Sequence, residues 1–462
     1  MRILYVHQNF PAQFGHIARR LVNQKQWECF FVSQSAAGNY HGVEKIQYKL
    51  SSGATRHTHF CSRTFENTVW HCDAVFEALK ARPDIKPDLI VGHSGFGSTL
   101  FLRELYPRTP VVNLFEYFYR PHAVDGDMDF RKDLGWTLET HKYLRSRCRN
   151  AMIMLDLDNC QLGYCPTEFQ QTRFPREFQY KLRTVFDGID RRIFHGRKEE
   201  LRPLPSARTA RTIAGVRVEP HQRIVTYVSR GLESMRGFDI FMRSAKLIGE
   251  RQPDTVFIVV GGDRMAYGGD EAYVGEHKSF KDWVLSRDTY DLSKFHFVGW
   301  LAPEELATLL ASTDLHMYLT VPFVLSWSML NAMSCGAVVL GSNTAPVREM
   351  IQPGVNGLLA DFFSPEEFAD KAVKVLTDLE TYRPLGRAAE EMIERRFSLD
   401  VTLPQMLKLY EDAGSGARSA PAGPPPGVAP AAAAPPPAAA KLVSERNILT
   451  TVKTPKNSPF RG

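Results

Sequence analysis

The chain has 462 residues, 44% apolar and 23% charged, which is ordinary globular usage and long enough for two or three domains with sizeable cores. Its 57 Lys and Arg against 51 Asp and Glu leave +6, too mild a surplus to argue for a nucleic-acid partner. Seven cysteines, an odd number with no C-x-x-C pair and no metal-ligand spacing, read as reduced thiols of a cytoplasmic protein.

The N-terminus, MRILYVHQNF, has one Arg and a short apolar run before polar residues. It predicts a first strand, 2–7, rather than a signal peptide. Short apolar strands then alternate with amphipathic segments. In the first half strands are expected at 28–33, 88–93, 110–115, 151–156 and 182–186. A helix is expected over 64–81, where Val69, Val75, Phe76 and Leu79 share a face. The second half repeats the scheme, with strands at 223–230, 255–262, 295–299, 314–320 and 337–342. Such alternation predicts parallel sheets covered on both faces. The expected class is therefore α/β, with two doubly wound Rossmann-like domains, 1–195 and 223–398, facing a cleft. The stretch 196–222 reads as the connector. A last helix, 399–413, is expected to cross back to the first domain. Ligands of such sheets sit at the carboxyl ends of the strands, so the cleft is the expected site.

From 414 to 462 the chain is a Pro- and Ala-rich linker ending in a short basic peptide. Such a segment cannot bury a core and is expected to be a disordered tail. The alternative is a tethered docking peptide for a protein partner.

The run 315–347 holds no Asp, Glu, Lys or Arg. A membrane span is rejected because Pro322, Ser326, Ser328, Asn331, Ser334, Gly336, Gly341 and Ser342 interrupt it. The pattern instead predicts strand, loop, helix and strand: a buried core that also walls a ligand site.

Three features of the second half point to an anionic ligand. Arg230 ends a strand, and Arg236 precedes Gly237 and a helix starting near Phe238. Guanidinium groups at a strand end and a helix N-terminus suit phosphate. The strand 255–262 ends in glycines, so a ligand can approach the backbone at Gly262. The loop 321–325 leads into a further helix N-terminus at Ser326. Together they suggest a pyrophosphate-bearing ligand.

Rival motifs are weaker. VGHSGFGS (91–98) misses the G-x-S-x-G elbow because Phe96 stands where glycine is needed, which argues against a Ser94 nucleophile. Gly95-x-Gly97 is half a dinucleotide fingerprint. DGDMD (125–129) lacks the glycine and glutamate of a calcium loop. His7, His93 and Glu116 end or follow first-half strands; the last two are candidate acceptor or cleft residues.

These residues resemble retaining glycosyltransferases of family 4, which have the two-domain GT-B fold. YVSRGLESMRGFDIF (227–241) resembles the element that holds the donor diphosphate, with Arg236 in the place of a lysine. SWSMLNAMSCGAVVLGSNTAPVREMIQPGVNGLLAD resembles the donor motif. HQNFPAQFGHIARRL resembles the glycine-containing loop after the first strand, with Gly15 in the glycine place. CPTEFQQTRFP and VFDGID resemble the end of the N-terminal domain. The resemblance spans roughly 1–412 and is specific as an ordered set. It implies a metal-independent transfer of a sugar from a nucleotide-diphosphate sugar to an acceptor hydroxyl, with no cofactor, in glycoconjugate or polysaccharide biosynthesis. Arg230 and Arg236 would act catalytically, and Gly15, Gly262, Ser326, Trp327, Asn331 and Glu349 would bind the donor. The chain would be cytoplasmic or peripheral to the inner face of the membrane. Two places where most members carry Glu hold Phe323 and Asn331, as in part a branch with a PFVLSW loop. The alternative from another class is a catalytically weak or inactive module of the same fold that binds a partner through its tail.

Overall fold

The computed structural model describes residues 1–24, 27–122, 130–136, 140–196, 203, 205–267 and 269–415. The expected tail and the DGDMD loop at 125–129 lie outside the described residues, apart from the first positions of the tail. Strands β1 (Arg2–Val6), β2 (Glu28–Ser33), β3 (Val43–Gln47), β4 (Leu89–His93), β5 (Val111–Leu114), β6 (Leu162–Cys165) and β7 (Leu182–Thr184) form one parallel sheet in the order 3-2-1-4-5-6-7. A hairpin follows, β8 (Arg211–Ile213) and β9 (Val216–Val218). Strands β10 (Arg223–Gly231), β11 (Thr255–Gly262), β12 (Phe295–Gly299), β13 (Leu315–Tyr318), β14 (Val339–Ser342) and β15 (Leu358–Ala360) form a second parallel sheet, ordered 12-11-10-13-14-15. Each order is doubly wound, with β1 and β10 at the points where it reverses. The apolar strands are explained by cover on both faces.

In the first half the helices are α1 (Gly15–Asn23), α2 (Arg63–Lys80), α3 (Leu102–Leu105), α4 (Thr140–Cys148), α5 (Asn150–Asn159) and α6 (Glu168–Thr172). The second half carries α7 (Phe238–Arg251), α8 (Phe280–Ser286), α9 (Pro303–Ser312), α10 (Trp327–Ser334), α11 (Ala345–Arg348) and α12 (Pro365–Thr377), then α13 (Leu379–Arg396) and α14 (Leu399–Gly414). Among the described residues no helix is long and apolar enough to cross a membrane.

Two expectations are corrected. The segment 151–156 is part of α5, not a strand: Met152, Ile153, Asp156 and Leu157 are buried while Met154 and Leu155 are exposed. A six-residue apolar run does not distinguish strand from helix by periodicity. The stretch 196–222 is more than a connector. It contains β8 and β9, turned on Ala214 and Gly215 at positive φ, as a two-residue hairpin requires. Ile213, Val216 and Val218 share a core with Ile224, Ile258 and Leu309, so the hairpin belongs to the second lobe.

The chain crosses between the lobes at 187–190 and again at 397–399. Leu399, Leu403, Met406, Leu409 and Tyr410 of α14 pack with Ile3, Tyr5, Phe31 and Leu89 of the first sheet. The crossings are bonded to each other: Ile189 N–H donates to the Phe397 carbonyl (2.8 Å) and Leu399 N–H to the Ile189 carbonyl (2.9 Å). Gly188 makes this approach possible. Its φ is +94°, and a Cβ there would stand 2.3 Å from Thr402 Oγ1 and 3.0 Å from Leu399 Cα. Gly188→Ala should therefore lower unfolding free energy by about 1–3 kcal/mol in urea titrations, through left-handed strain and the clash. An unchanged midpoint would show that the two crossings slide apart freely.

Candidate active site

The second-lobe residues expected to meet a donor lie at the carboxyl ends of β10, β11 and β13. After Arg230 and Gly231 the backbone turns through 232–237 into α7. Gly237, at φ +62°, makes the last step, and a Cβ there would lie 2.9 Å from Leu319 Cβ. Buried carboxylates hold this turn. Glu233 accepts the N–H groups of Ala266 and Tyr267, both at 2.9 Å. Asp270 accepts Ser234 N–H at 2.8 Å and Ser234 Oγ–H at 2.6 Å.

Arg236 is 3% exposed. Its Nη1 donates to Thr320 Oγ1 (2.6 Å) and the Val324 carbonyl (3.0 Å), with Tyr318 Oη at 3.5 Å. Tyr267 lies under the guanidinium, 5.0 Å from ring centroid to Cζ. Tyr318 Oη in turn accepts Ser326 N–H at 2.8 Å. One phenol thus ties the arginine to the start of α10, where Ser326 caps the helix through Ser328 N–H. Arg230 is exposed and has no hydrogen bond or ion pair among the described residues. Its charge is felt across the cleft at His7, whose pKa falls to about 3 through burial first, with the positive charges of His93 and Arg230 contributing and Glu116 and a backbone hydrogen bond opposing. One arginine is anchored and the other is open.

The other expected donor residues divide. Asn331, 8% exposed, lies in α10, and its side chain makes no hydrogen bond among the described residues. Gly262 closes β11 beneath Trp300; a Cβ would stand 3.0 Å from the indole Nε1. Gly15 opens α1 under Pro11, where a Cβ would lie 2.4 Å from the Pro11 Cβ. Trp327 turns to the crossing: Nε1–H donates to Asp187 Oδ2 at 3.1 Å, and its ring meets His16 edge-on at 5.3 Å. Glu349 also faces the first lobe. Its carboxylate accepts Glu168 N–H (2.8 Å) and Phe169 N–H (2.9 Å), the opening amides of α6. Both oxygens serve a helix N-terminus, the electrostatically favoured place for a carboxylate.

On the first-lobe side His93 Nε2 lies 3.5 Å from Glu116 Oε2, and Gln13 Nε2 donates to Glu116 Oε1 at 2.7 Å. Burial opposes the charge on each, but their mutual attraction wins: His93 is held above its ordinary pKa and Glu116 below. His7 packs edge-on to His93, 5.1 Å between centroids. Asp187, from VFDGID, completes the group. Burial, then the Glu116 charge, push it up to about 7, against the opposing pull of Trp327 and His93. The sequence reading passed over Asp187, Gln13, Tyr318 and Thr320. Only Asp187 carried a signal, as a carboxylate before glycine at a strand end. Ser94 is not a nucleophile in waiting: it and Ser98 donate to Asp156 at 2.8 and 2.7 Å, and burial lifts Asp156 to about 6.

Two family profiles match the chain: Glycosyl transferase family 4 group over residues 25–194 and Glycosyl transferases group 1 over 211–392. Spore coat protein SA of Bacillus subtilis is 24% identical over 251 residues, 52% of this chain and 61% of its own. N-acetyl-alpha-D-glucosaminyl L-malate synthase of Bacillus anthracis is 23% identical over 231 residues, 50% of this chain and 54% of its own. The chain thus spans little more than half the length of these curated relatives. Among solved structures, sucrose-phosphate synthase from Thermosynechococcus elongatus superposes with a TM-score of 0.65 at 15% identity, covering 90% of this chain and 99% of that one. HepE of Anabaena in complex with UDP-glucose gives 0.62 at 16% identity, covering 89% and 100%.

Arg230→Ala should weaken nucleotide-diphosphate binding by about 1.5–3 kcal/mol without changing the melting temperature. Arg236→Ala should weaken it as much and also lower the melting temperature, because Thr320 and Val324 lose a buried donor. Calorimetry with UDP, GDP and ADP checks both, and unchanged binding would move the phosphate site elsewhere.

Asp187 makes stability depend on pH. Its folded pKa of about 7 stands above the ordinary 3.8, so the folded state holds the proton more tightly. The contribution is full below about pH 4 and is lost as pH rises through about 7. Asp187→Asn should remove that fall and be more stable than wild type at about pH 8. Urea denaturation across the range decides; parallel curves for the two proteins would refute the assignment.

Proposed function

The chain belongs to the family 4-type glycosyltransferases of GT-B fold, and from that premise we propose that it transfers a sugar from a nucleotide-diphosphate sugar to an acceptor hydroxyl with retention of configuration. The observation that carries this reading is the pair Arg230 and Arg236 around the turn into α7, with the capped start of α10 tied to Arg236 through Tyr318. As the glycosidic bond breaks, negative charge collects on the departing diphosphate. Fixed guanidinium groups and helix amides stabilise that charge without reorganising, which is the most effective form of transition-state stabilisation. We assign this counter-charge to the arginines and no metal to the reaction. The acceptor oxygen attacks from the face the leaving group vacates, on the side of His93 and Glu116. The UDP-glucose complex of HepE supports the donor class. A glycan, lipid-linked or protein acceptor fits a role in glycoconjugate or polysaccharide biosynthesis.

A second reading, a catalytically weak module that binds a partner through its tail, has two observations in its favour. Phe323 stands where most members carry Glu, packed between Tyr117 (4.6 Å) and Tyr267 (5.6 Å), and Glu349 is occupied by α6. Release of nucleotide diphosphate from a panel of nucleotide sugars, with and without candidate acceptors, separates the two. Turnover supports the transferase; absence of turnover with tail-dependent partner capture supports the module.

Asn331→Glu tests how the donor lies. A neutral amide offers weaker contacts to sugar or ribose hydroxyls than a carboxylate does. The variant should bind its best donor about tenfold more tightly, or turn it over faster. Calorimetry giving equal or weaker binding in a folded variant would mean that the donor does not meet this position.

A further inference from the structure

Residues 130–136 belong to the first half by chain position, between β5 and α4, yet Phe130, Arg131 and Trp136 dock on the second lobe. Phe130 packs against Phe362 (5.1 Å) and Phe363 (5.0 Å). Trp136 stacks on Tyr273, 4.7 Å and 9° apart, with Phe280 and Trp283 against its edges. Between these anchors Arg131 is 8% exposed. Its Nη2 donates to Asp239 Oδ2 at 2.7 Å, its Nη1 to the Ser234 carbonyl, and Nε and Nη2 to the Asp133 carboxylate at 2.9 and 3.0 Å.

The two second-lobe partners bracket Arg236, Gly237 and Phe238. Ser234 carbonyl also accepts Gly237 N–H at 2.9 Å, the bond that closes the left-handed turn. Asp239 is a buried carboxylate in the first turn of α7, where its charge would repel an anion at the same helix end. Arg131 therefore acts twice on the phosphate turn: it grips the carbonyl that sets the turn and, at 2.7 Å against 3.3 Å for Arg243, is the nearer of two cations that neutralise the carboxylate beside it.

We propose that Arg131 is a positioning residue by which the first lobe holds the turn 234–239 in its diphosphate-binding form. This rests on the donor reading above. A lone neutral substitution would leave the buried Asp239 with only the 3.3 Å contact to Arg243 and destabilise the fold for that reason alone. Two other variants avoid this. R131Q/D239N removes both charges together. R131K keeps the charge but loses the fork that reaches Ser234 and Asp239 at once.

The test is calorimetry with UDP, GDP and ADP, each against its monophosphate, beside thermal melting. For the nucleotide the wild type prefers, both variants should bind the diphosphate about tenfold more weakly while monophosphate affinity changes little. A purely structural role would lower both affinities in step with melting temperature. R131K with a wild-type preference for diphosphate over monophosphate overturns the proposal, whatever the double variant does. A wild type that binds none of the three diphosphates overturns it together with the donor reading, whereas normal wild-type binding with unaltered variants overturns the positioning role alone.

Discussion

A guanidinium cannot be buried unless its N–H groups find acceptors and its charge finds compensation. Arg236 meets the first requirement with neutral oxygens: Thr320 Oγ1 and the Val324 carbonyl, with Tyr318 Oη beyond them. This explains the absence of charge from 315 to 347 better than apolar packing alone. That stretch supplies β13, α10 and β14, and Tyr318, Leu330 and Val339 lie in its core. It also supplies the acceptors of the arginine. A carboxylate among them would pair with Arg236 and cancel its positive field at the start of α7.

The second constraint is the relation between the lobes. Beyond the two bonded crossings, Tyr117 Oη donates to the Pro322 carbonyl (3.2 Å), Trp327 to Asp187, Glu168 and Phe169 amides to Glu349, and Arg131 to Ser234 and Asp239. Most of these second-lobe partners lie in or beside the loops at the carboxyl ends of the second sheet, where the proposed site sits. The same side chains that fix the cleft therefore fix the site. The cost is visible in Asp187, which is pushed up to about 7 by burial and by Glu116. Titratable groups with opposed environments are a mark of functional clefts, and here a raised carboxyl stands beside an ion-paired His93 and Glu116.

Much of the fold was legible because local pattern and global architecture agree. Apolar strands alternating with helices predicted two parallel sheets, and both are present. The error at 151–156 came from a short apolar run that fits either period. The hairpin at 211–218 was hidden by an alanine, not the expected Asn or Asp, before Gly215 in a turn where both residues take positive φ.

By itself the sequence determined the two doubly wound sheets and the placing of Arg230, Arg236 and Ser326 at strand and helix ends. These follow from periodicity, and periodicity is local. Only the tertiary structure decided what each polar group meets. It set Glu349 and Trp327 against groups of the first lobe, brought Arg131 across to the turn into α7, and left Arg230 open while Arg236 was buried. Those outcomes depend on pairs far apart in the chain, such as Arg131 and Asp239 or Glu168 and Glu349. No spacing rule encodes them, because the free energy of a buried charge is set by whatever acceptors the packed fold brings within reach.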